Sequence, residues 1–548
     1  MPSIKFNKKY LISMIGEEMK DDTLSSYISK LGFEAAEITK DEVTVEITPN
    51  RPELLDAVGF ARAVRYFLHK KKGFSYPVED IKPMAEIKVE RSVSRLRPFI
   101  SSLIATGLSL DEEKIANLIN FTDKLCDVYG RGRRKMAIGI HDLDKIDGML
   151  TYALRREGSL RALNSPSEKT YAEIIKTTDQ GLKYSQTLGA HAGAYPVLED
   201  SKGSIALIPI INSERTRLNH STKNILIDIT GTSEYVIDKF PDVLACSLID
   251  MGAKIGRVSV NYGSESKTFP LMDKQKITIN LADAEREIGM KIGASNIISL
   301  ANKAGYEAYY TGKKVTFEIP EYRTDVLNYQ DIVEDIAIAY GYDYINPSPV
   351  LTSSPGSLAK STDTVDRLAA YMVGLGFSEM MNTLLTNEHG NYELMNLHPD
   401  KEYIKLKNPK AENLTMLRTW LLPSLLKNVS MSLTEKMPYN LFEIDSAFSI
   451  SGGALHEDMR ICAVSTDSKA NFNDAKALFL SIDSAFGMGL SLSAASHGSF
   501  IQGRCAYVKK GEKTVGILGE LHPKVLSGFK IEEPTTCLEI NLSELLGI

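Results

Sequence analysis

The sequence predicts a multidomain α+β protein, on three observations. The chain has 548 residues, and at roughly 150 residues per domain that is three or four domains. Apolar residues make up 43% and charged residues 24%, ordinary globular values, so each domain has material for a core. Helix-period and strand-like apolar segments are interspersed along the whole length, separated by polar or proline-rich breaks.

Charge and cysteine content narrow the class. There are 64 Lys+Arg against 70 Asp+Glu, a net charge of −6. A protein that coats nucleic acid indiscriminately is normally basic, so that class is demoted, while a local basic patch stays open. The five cysteines are scattered, the nearest pair being Cys505 and Cys537, 32 residues apart. Such spacing argues against a disulfide framework and a thiolate zinc site, and fits buried thiols in a reducing compartment. The N-terminal apolar patch Tyr10–Ile15 is too short for a secretion signal, and no apolar run reaches membrane-span length. The expected location is the cytoplasm, with no membrane contact.

Three breaks set the expected blocks. Lys70-Lys71-Lys72-Gly73 precedes Pro77 and Pro83. Gly263-Ser264-Glu265-Ser266-Lys267 is a polar gap. Asn346-Pro347-Ser348-Pro349, continuing through Ser353-Ser354-Pro355-Gly356-Ser357, is the strongest linker signal. Four blocks follow: 1–75, 76–268, 269–347 and 348–548.

The first block reads as an α/β module. A helix is expected at Leu24–Leu31, a strand at Val43–Ile47, and a helix over Glu53–Leu68. Leu54, Val58, Ala61, Val64 and Leu68 share one face of that last helix. Pro52 suits its first turn, where no backbone donor is required. Asn50 and Arg51 precede it, either held in place by the stiff turn or capping the helix in solvent.

The second block is mixed, with a helix over Asp111–Phe121, a basic run Arg131–Lys135 and strands at Met136–Ile140, Ser204–Ile211 and Asn224–Thr230. Alternation places Asp228 and Thr230 on the same strand face as Leu226, just before Gly231 and Thr232. On pattern alone these polar residues are either a site or capping groups.

The third block surrounds strands Ile277–Leu281 and Val315–Ile319 with helices Ala282–Gly289, Ser295–Ala304 and Gln330–Tyr340, a winged-helix-like pattern. Asp331, Glu334 and Asp335 stand at i, i+3 and i+4, a stripe about 100° wide opposite Val333, Ile336 and Tyr340. Asp325 lies just before the helix. Four hard carboxylates around one turn suit Mg²⁺; a solvated acidic first turn, favoured by the helix dipole, is the simpler alternative.

The fourth block alternates helices Asp363–Leu375 and Leu421–Leu433 with extended segments Phe377–Thr386 and Leu441–Ile450. No phosphate-binding G-x-x-x-x-G-K-[ST], no H-E-x-x-H and no G-x-S-x-G occurs in the chain.

Several stretches together resemble the β subunit family of phenylalanyl-tRNA synthetases, in its shorter archaeal or eukaryotic form. They are Ile47-Thr48-Pro49-Asn50-Arg51-Pro52-Glu53-Leu54-Leu55; Tyr322-Arg323-Thr324-Asp325 with Asp331-Ile332-Val333-Glu334-Asp335 and Tyr340-Gly341-Tyr342; Asn408-Pro409; Leu417-Arg418-Thr419-Trp420-Leu421-Leu422-Pro423-Ser424-Leu425-Leu426; Leu441-Phe442-Glu443-Ile444; and Gly519-Glu520-Leu521-His522-Pro523. Trp420 replaces a residue that is usually small.

The resemblance implies a job for each block. Block 1–75 would be an N-terminal module. Block 76–268 would be a B3/B4-type domain that proofreads tRNA. Block 269–347 would be a B5-type winged-helix-like domain whose Asp325, Asp331, Glu334 and Asp335 bind a Mg²⁺ shared with the α subunit; Asp335 stands where Glu is common. Block 348–548 would be a class II synthetase-like antiparallel sheet domain, an interface without catalytic residues. ATP would be a substrate of the α2β2 complex, with adenylation on the α subunit, and tRNA-Phe the nucleic acid partner. The basic runs Lys70–Lys72 and Arg131–Lys135 would be the places for local phosphate contact. The longer bacterial architecture, with its extra domains, is not expected at this length.

A pocket for Phe rejects Tyr poorly, because Tyr only adds a hydroxyl. The stretch Pro209-Ile210-Ile211-Asn212, then Thr216, then Asp228-Ile229-Thr230-Gly231-Thr232, resembles the family's archaeal-type editing pocket, which implies Asn212, Thr216, Asp228, Thr230 and Thr232 as its residues. Asp228 or Asn212 would read the tyrosine hydroxyl or amine, and Thr230 and Thr232 would position ester and water. Two rival readings remain, a scaffold with a decayed editing site and a free-standing aminoacyl-tRNA deacylase.

Overall fold

The computed structural model describes residues 2–68, 71, 73–80, 85–188, 193–347, 349, 354–399, 403–432 and 437–546. Lys70, Lys72, Ser348, Ser353 and Leu433, which belong to the expected basic run, linker and helix end, lie outside the described residues. The chain divides into two compact units, Met1–Pro349 and Val350–Ile548. The boundary falls in the proline- and serine-rich stretch after Asn346.

The first unit begins with a three-stranded sheet of Ser3–Asn7, Glu42–Glu46 and Glu34–Ile38, in that order. Both outer strands are antiparallel to the middle one. The module is therefore a split β-α-β arrangement of α+β type, which corrects the expected α/β reading. Helices Lys8–Ile15 and Asp21–Lys30 connect the outer strands. The expected apolar patch Tyr10–Ile15 is part of the first helix, with Tyr10, Leu11 and Ile15 buried.

The helix expected over Glu53–Leu68 comes in two pieces. Pro52–Leu55 forms a 3-10 turn, Asp56 is extended, and Ala57–Phe67 is the α-helix. Gly59 permits the break, since a Cβ there would stand 1.9 Å from the Glu53 carbonyl oxygen. Arg51 is not solvated; it pairs at 2.6 Å with buried Glu53.

The centre of this unit is an eleven-stranded sheet. Its path runs Ile211–Asn212, Gly203–Leu207, Tyr195–Asp200, Leu150–Arg155, Ala85–Val89, Lys254–Asn261, Phe99–Thr106, Ile225–Gly231, Met136–Asp142. Val78–Glu79 and Ser266–Phe269 also pair with Lys254–Asn261. The path curls until its two ends meet: the Asn212 amide donates to the Ile140 carbonyl at 3.2 Å. Helix Glu112–Val128 is capped by Asp111, which accepts from the Lys114 amide, and it buries Leu118, Phe121, Leu125 and Cys126. That cap explains why it starts where the sequence expects it, while the apolar spacing through Leu125 carries it to Val128, past the expected end at Phe121.

The segment from Gln275 to Tyr340 carries three helices and an antiparallel sheet ordered Gln275–Asn280, Lys314–Ile319, Glu307–Thr311. The strand Glu307–Thr311 was not anticipated. Helix Tyr329–Tyr340 opens on a capping box between Asn328 and Asp331 and ends at Gly341, whose φ is 103°.

The second unit is built on a seven-stranded sheet, ordered Ser378–Glu379, Tyr439–Ser451, Ala454–Thr466, Thr535–Asn541, Lys513–Leu521, Phe500–Lys510, Ser491–Ala494. All pairs are antiparallel except the first. Period-two alternation buries both faces. Cys462 and Val464 face helix Leu422–Met431, while Ile461 and Ala463 face helices Lys360–Gly374 and Phe472–Phe486. Within Phe377–Thr386 only Ser378–Glu379 and Leu385–Thr386 are strand. Trp420 is buried and donates from Nε1 to the Asn391 carbonyl at 3.2 Å. All five cysteines are free and buried. Among the described residues no helix is long and apolar enough to cross a membrane.

Candidate functional site

A cavity of about 380 Å³ opens where the two ends of the eleven-stranded sheet meet. Its volume falls in the usual range for a small-molecule pocket. The walls are of mixed character, apolar at Ile115, Ala137, Ile138, Leu207, Pro209 and Ile211 and polar at Asp123, Arg133, Gln180 and Arg217, with Asn212, Thr216, Asp228 and Thr230 also in the lining. A larger cleft of about 640 Å³ in the second unit, between Phe377 and Leu538, is shallower and has no comparable group of buried polar side chains.

Strand alternation explains the placement. In Ile225–Gly231, Asp228 and Thr230 point to the cavity face, while Ile225, Ile227 and Ile229 belong to the core on the other side. Asp228 and Thr230 are both buried. The Asn212 side-chain nitrogen donates one of its two protons to the Ile140 carbonyl, and its oxygen is able to accept a hydrogen bond. Thr216 ends the short turn Glu214–Thr216 and is buried.

Four of the five expected pocket residues thus converge. Thr232 does not. The strand ends at Gly231, and Thr232 is exposed, tied by its backbone to the Lys135 carbonyl at 3.0 Å. It lies outside the cavity lining.

Two neighbours escaped the sequence reading. Arg97, fully buried, donates from Nε to the Thr230 hydroxyl at 2.9 Å and from a terminal nitrogen to the Thr230 carbonyl at 2.6 Å. Since the Thr230 oxygen already accepts, its own proton is free to point into the cavity. Burial pulls the Arg97 pKa below its usual value. His141 stands behind Asp228. Arg97 follows Leu96 in an irregular turn with no periodic signal. His141 had one: the expected strand stopped at Ile140, one residue short, and the observed strand is Met136–Asp142.

In the basic run, Arg133 forms part of the cavity wall. It donates to the carbonyls of Pro209 and Ile210, pairs with Asp123 at 3.1 Å and lies over the Tyr184 ring. Arg131 and Arg134 are exposed. Lys71 pairs with Asp250 at 2.9 Å.

The expected magnesium carboxylates are arranged otherwise than as one stripe. Both oxygens of Asp325 accept from Arg323 at 2.8 Å. Asp335 accepts from Arg323 at 2.6 Å and from the Tyr306 hydroxyl. Burial acts to raise the Asp325 pKa, but Arg323 outweighs it and holds the carboxyl below its usual value. Asp331 is occupied in the cap, accepting from the amides of Leu327 and Asn328. Glu334 is exposed. Among the described residues no group of three or more His, Cys, Asp or Glu is placed to hold an ion. The donor chemistry suits Mg²⁺, but the geometry of this chain alone does not, because Arg323 already neutralises two of the four.

Comparison with known proteins now bears on this architecture. Residues 347–542 match the model of the phenylalanyl tRNA synthetase beta chain CLM domain, residues 277–342 the tRNA synthetase B5 domain, and residues 88–242 the B3/4 domain. A phenylalanine--tRNA ligase beta subunit of Archaeoglobus fulgidus is 34% identical, covering 99% of this chain and 98% of its own. One of Methanocella arvoryzae is 32% identical over the full length of both chains. A crystal structure of an N-terminal fragment of the phenylalanyl-tRNA synthetase beta-subunit from Pyrococcus horikoshii aligns with a TM-score of 0.60 at 28% identity, covering 62% of this chain and all of that one. The protein is thus an aminoacyl-tRNA synthetase subunit by class. It belongs to the phenylalanine--tRNA ligase beta subunit family.

Proposed function

We propose that this chain pairs with an α subunit in an α2β2 phenylalanine–tRNA ligase and hydrolyses tyrosyl-tRNA in the cavity beside Asp228. The observation that carries the editing reading is a buried carboxylate in a pocket of mixed apolar and polar walls, two residues along the strand from a hydroxyl free to donate. The polarities suit a tyrosyl ester. A phenol donates, and Asp228 accepts. An ammonium only donates, and the Asn212 oxygen accepts. An ester carbonyl only accepts, and Thr230 donates. Strand geometry separates residues 228 and 230 by about 6–7 Å, close to the span of tyrosine from hydroxyl to carbonyl. A phenylalanyl ester would bring no donor to the Asp228 oxygen that His141 does not already occupy and would desolvate it, which is the physical basis for sparing the correct product. Water would attack the ester carbon, with Thr230 polarising the carbonyl as negative charge develops on its oxygen.

Adenylation with ATP is assigned to the α subunit, because this chain lacks the F-R-x-E pattern and the glycine-rich strand ending in Arg that would grip a nucleotide. The tRNA contacts are proposed at Arg131 and Arg134, the exposed members of the run beside the cavity. We assign a shared Mg²⁺ to the assembled complex only, since this chain by itself supplies Arg323 as the counter-charge of Asp325 and Asp335.

Co-expression with an α subunit tests the proposal. The complex is expected to charge tRNA-Phe and to hydrolyse Tyr-tRNA. Variants Asp228→Ala and Thr230→Ala together should abolish hydrolysis and leave charging intact. Unimpaired hydrolysis in that pair would sink the site assignment. Charging without any hydrolysis by the wild type would favour the decayed scaffold, and hydrolysis without an α partner the free-standing deacylase.

A further inference from the structure

His141 takes no part in the contacts proposed above, yet it is fully buried beside them. Its Nδ1 lies 2.8 Å from Thr216 Oγ1, and its Nε2 lies 2.9 Å from Asp228 Oδ1. Strands Met136–Asp142 and Ile225–Gly231 pair so that Gly139 faces Asp228 and His141 faces Leu226. His141 and Asp228 therefore share a sheet face on a diagonal. Residue 139 makes the diagonal possible: a Cβ there would stand 2.2 Å from Asp228 Oδ1 and 3.1 Å from His141 Nε2. The carboxylate lies over a bare glycine to reach the imidazole.

Hydrogen-bond accounting fixes the roles. A neutral imidazole has one donor and one acceptor, and an ionised carboxylate only accepts. Nε2–H therefore donates to Asp228, and Nδ1 accepts the Thr216 hydroxyl proton. All three groups are satisfied without a buried positive charge. A charged ring would make Thr216 accept instead, sending its own proton to the Ser213 carbonyl at 3.4 Å, a poor bond. Once Oδ1 is committed to His141, only Oδ2 of Asp228 is left for a ligand.

We propose that His141 is the specificity-positioning residue of this cavity, fixing Asp228 so that one oxygen meets the phenol of a tyrosyl ester, with Thr216 setting the histidine tautomer. The inference rests on the editing reading and deepens it. It also moves Thr216 one step back, from a group that touches the substrate to one that acts through His141.

The test measures kcat/KM for hydrolysis of Tyr-tRNA and Phe-tRNA by the α–β complex, together with its thermal melt. The readout is the Tyr/Phe ratio, which a purely structural defect would not move because both esters would suffer alike. His141→Leu should lower the ratio about ten- to a hundredfold, the scale of a lost hydrogen bond to a charged group. His141→Gln, whose amide can donate to the same oxygen, should stay within about threefold of wild type. In an Asp228→Asn background, His141→Leu should lower the ratio no further, because the two residues act as one unit. A wild-type ratio in His141→Leu, an equal loss on both esters, or an undiminished effect in the Asp228→Asn background would overturn the proposal. Should His141→Leu fail to fold, the near-isosteric Thr216→Val decides by the same ratio: a fall supports the proposal and an unchanged ratio overturns it. A wild-type complex that hydrolyses neither ester would overturn the editing reading and this inference together, whereas an active wild type with an unmoved ratio overturns only the role of His141.

Discussion

Arg97 holds Thr230 twice, through the hydroxyl at 2.9 Å and through the carbonyl at 2.6 Å, although 133 residues separate them. A third contact runs to the Arg133 carbonyl at 3.0 Å. One guanidinium thus ties the end of a strand to the loop that walls the cavity. Arg97→Leu strands these acceptors and should cost about 3 kcal/mol, at roughly 1.5–3 kcal/mol for a hydrogen bond to a charged group. Urea unfolding of the complex measures this, and a change below about 1 kcal/mol would contradict it.

Gly139→Ala tests the cavity floor. The added methyl carbon collides with the Asp228 carboxylate at 2.2 Å, so the carboxylate must swing away. Tyr-tRNA hydrolysis should fall at least about tenfold, the scale of a misplaced reacting group, while charging with phenylalanine is unchanged. Normal hydrolysis in this variant would show that Asp228 need not lie over residue 139.

Asp325 should leave a signature in acid. Burial raises its pKa, but the pairing with Arg323 prevails and the folded value is depressed. A depressed carboxyl contributes stability above the unfolded value of about 3.9, and that contribution is lost as pH falls through the folded value. Wild type should therefore lose stability as pH falls below about 4. Asp325→Asn should show a flatter dependence there and lower stability at neutral pH. Parallel curves for the two proteins would count against the pairing.

Magnesium should do little to this chain by itself. With Asp325 and Asp335 held by Arg323 and Asp331 in a helix cap, an ion has too few free carboxylates to bind the folded state selectively. Added Mg²⁺ should shift the melting temperature by less than about 1 °C, since only selective binding to the folded state stabilises. A saturable upward shift in the isolated chain would reverse that conclusion.

In the second unit, Arg418 is fully buried and pairs with Glu443 at 2.6 Å and Asp445 at 2.7 Å. Arg418→Met leaves Glu443 as an uncompensated buried charge. The expected loss is about 3–5 kcal/mol, read by chemical denaturation. A neutral result would count against the pair as a determinant of stability.

Much of this structure was legible in the sequence because it obeys local rules. The strand Ile225–Gly231 sits where β-branched alternation places it, and that alternation put Asp228 and Thr230 on one face. The helix Tyr329–Tyr340 sits where its apolar period and the Asn328 cap demand. What stayed hidden depends on contacts between distant segments. His141 gains meaning only from the pairing of two strands over Gly139. Arg97 comes from a turn that carries no period. Thr232 was expected in the pocket, but it follows the strand end at Gly231 and is exposed. The helical wheel set Asp335 on a solvated stripe, whereas Arg323 and Tyr306 draw it inward, and a wheel contains no neighbours. The split at Asp56 likewise follows from the Glu53 carbonyl packed against Gly59, invisible to periodicity alone.

The curled sheet has a practical consequence for anyone dissecting the molecule. Its middle strand, Lys254–Asn261, bonds to Ala85–Val89 on one side and to Phe99–Thr106 on the other. The B3/4 match ends at residue 242, before that strand begins. A piece cut there would lose the strand that joins Ala85–Val89 to Phe99–Thr106, leaving the junction at Asn212 and Ile140 to hold the curl and two raw edges free to pair with other molecules. Such a piece should aggregate, so its inactivity would say nothing about catalysis, whereas a piece ending past Phe269 keeps Lys254–Asn261 together with its partner strand Ser266–Phe269.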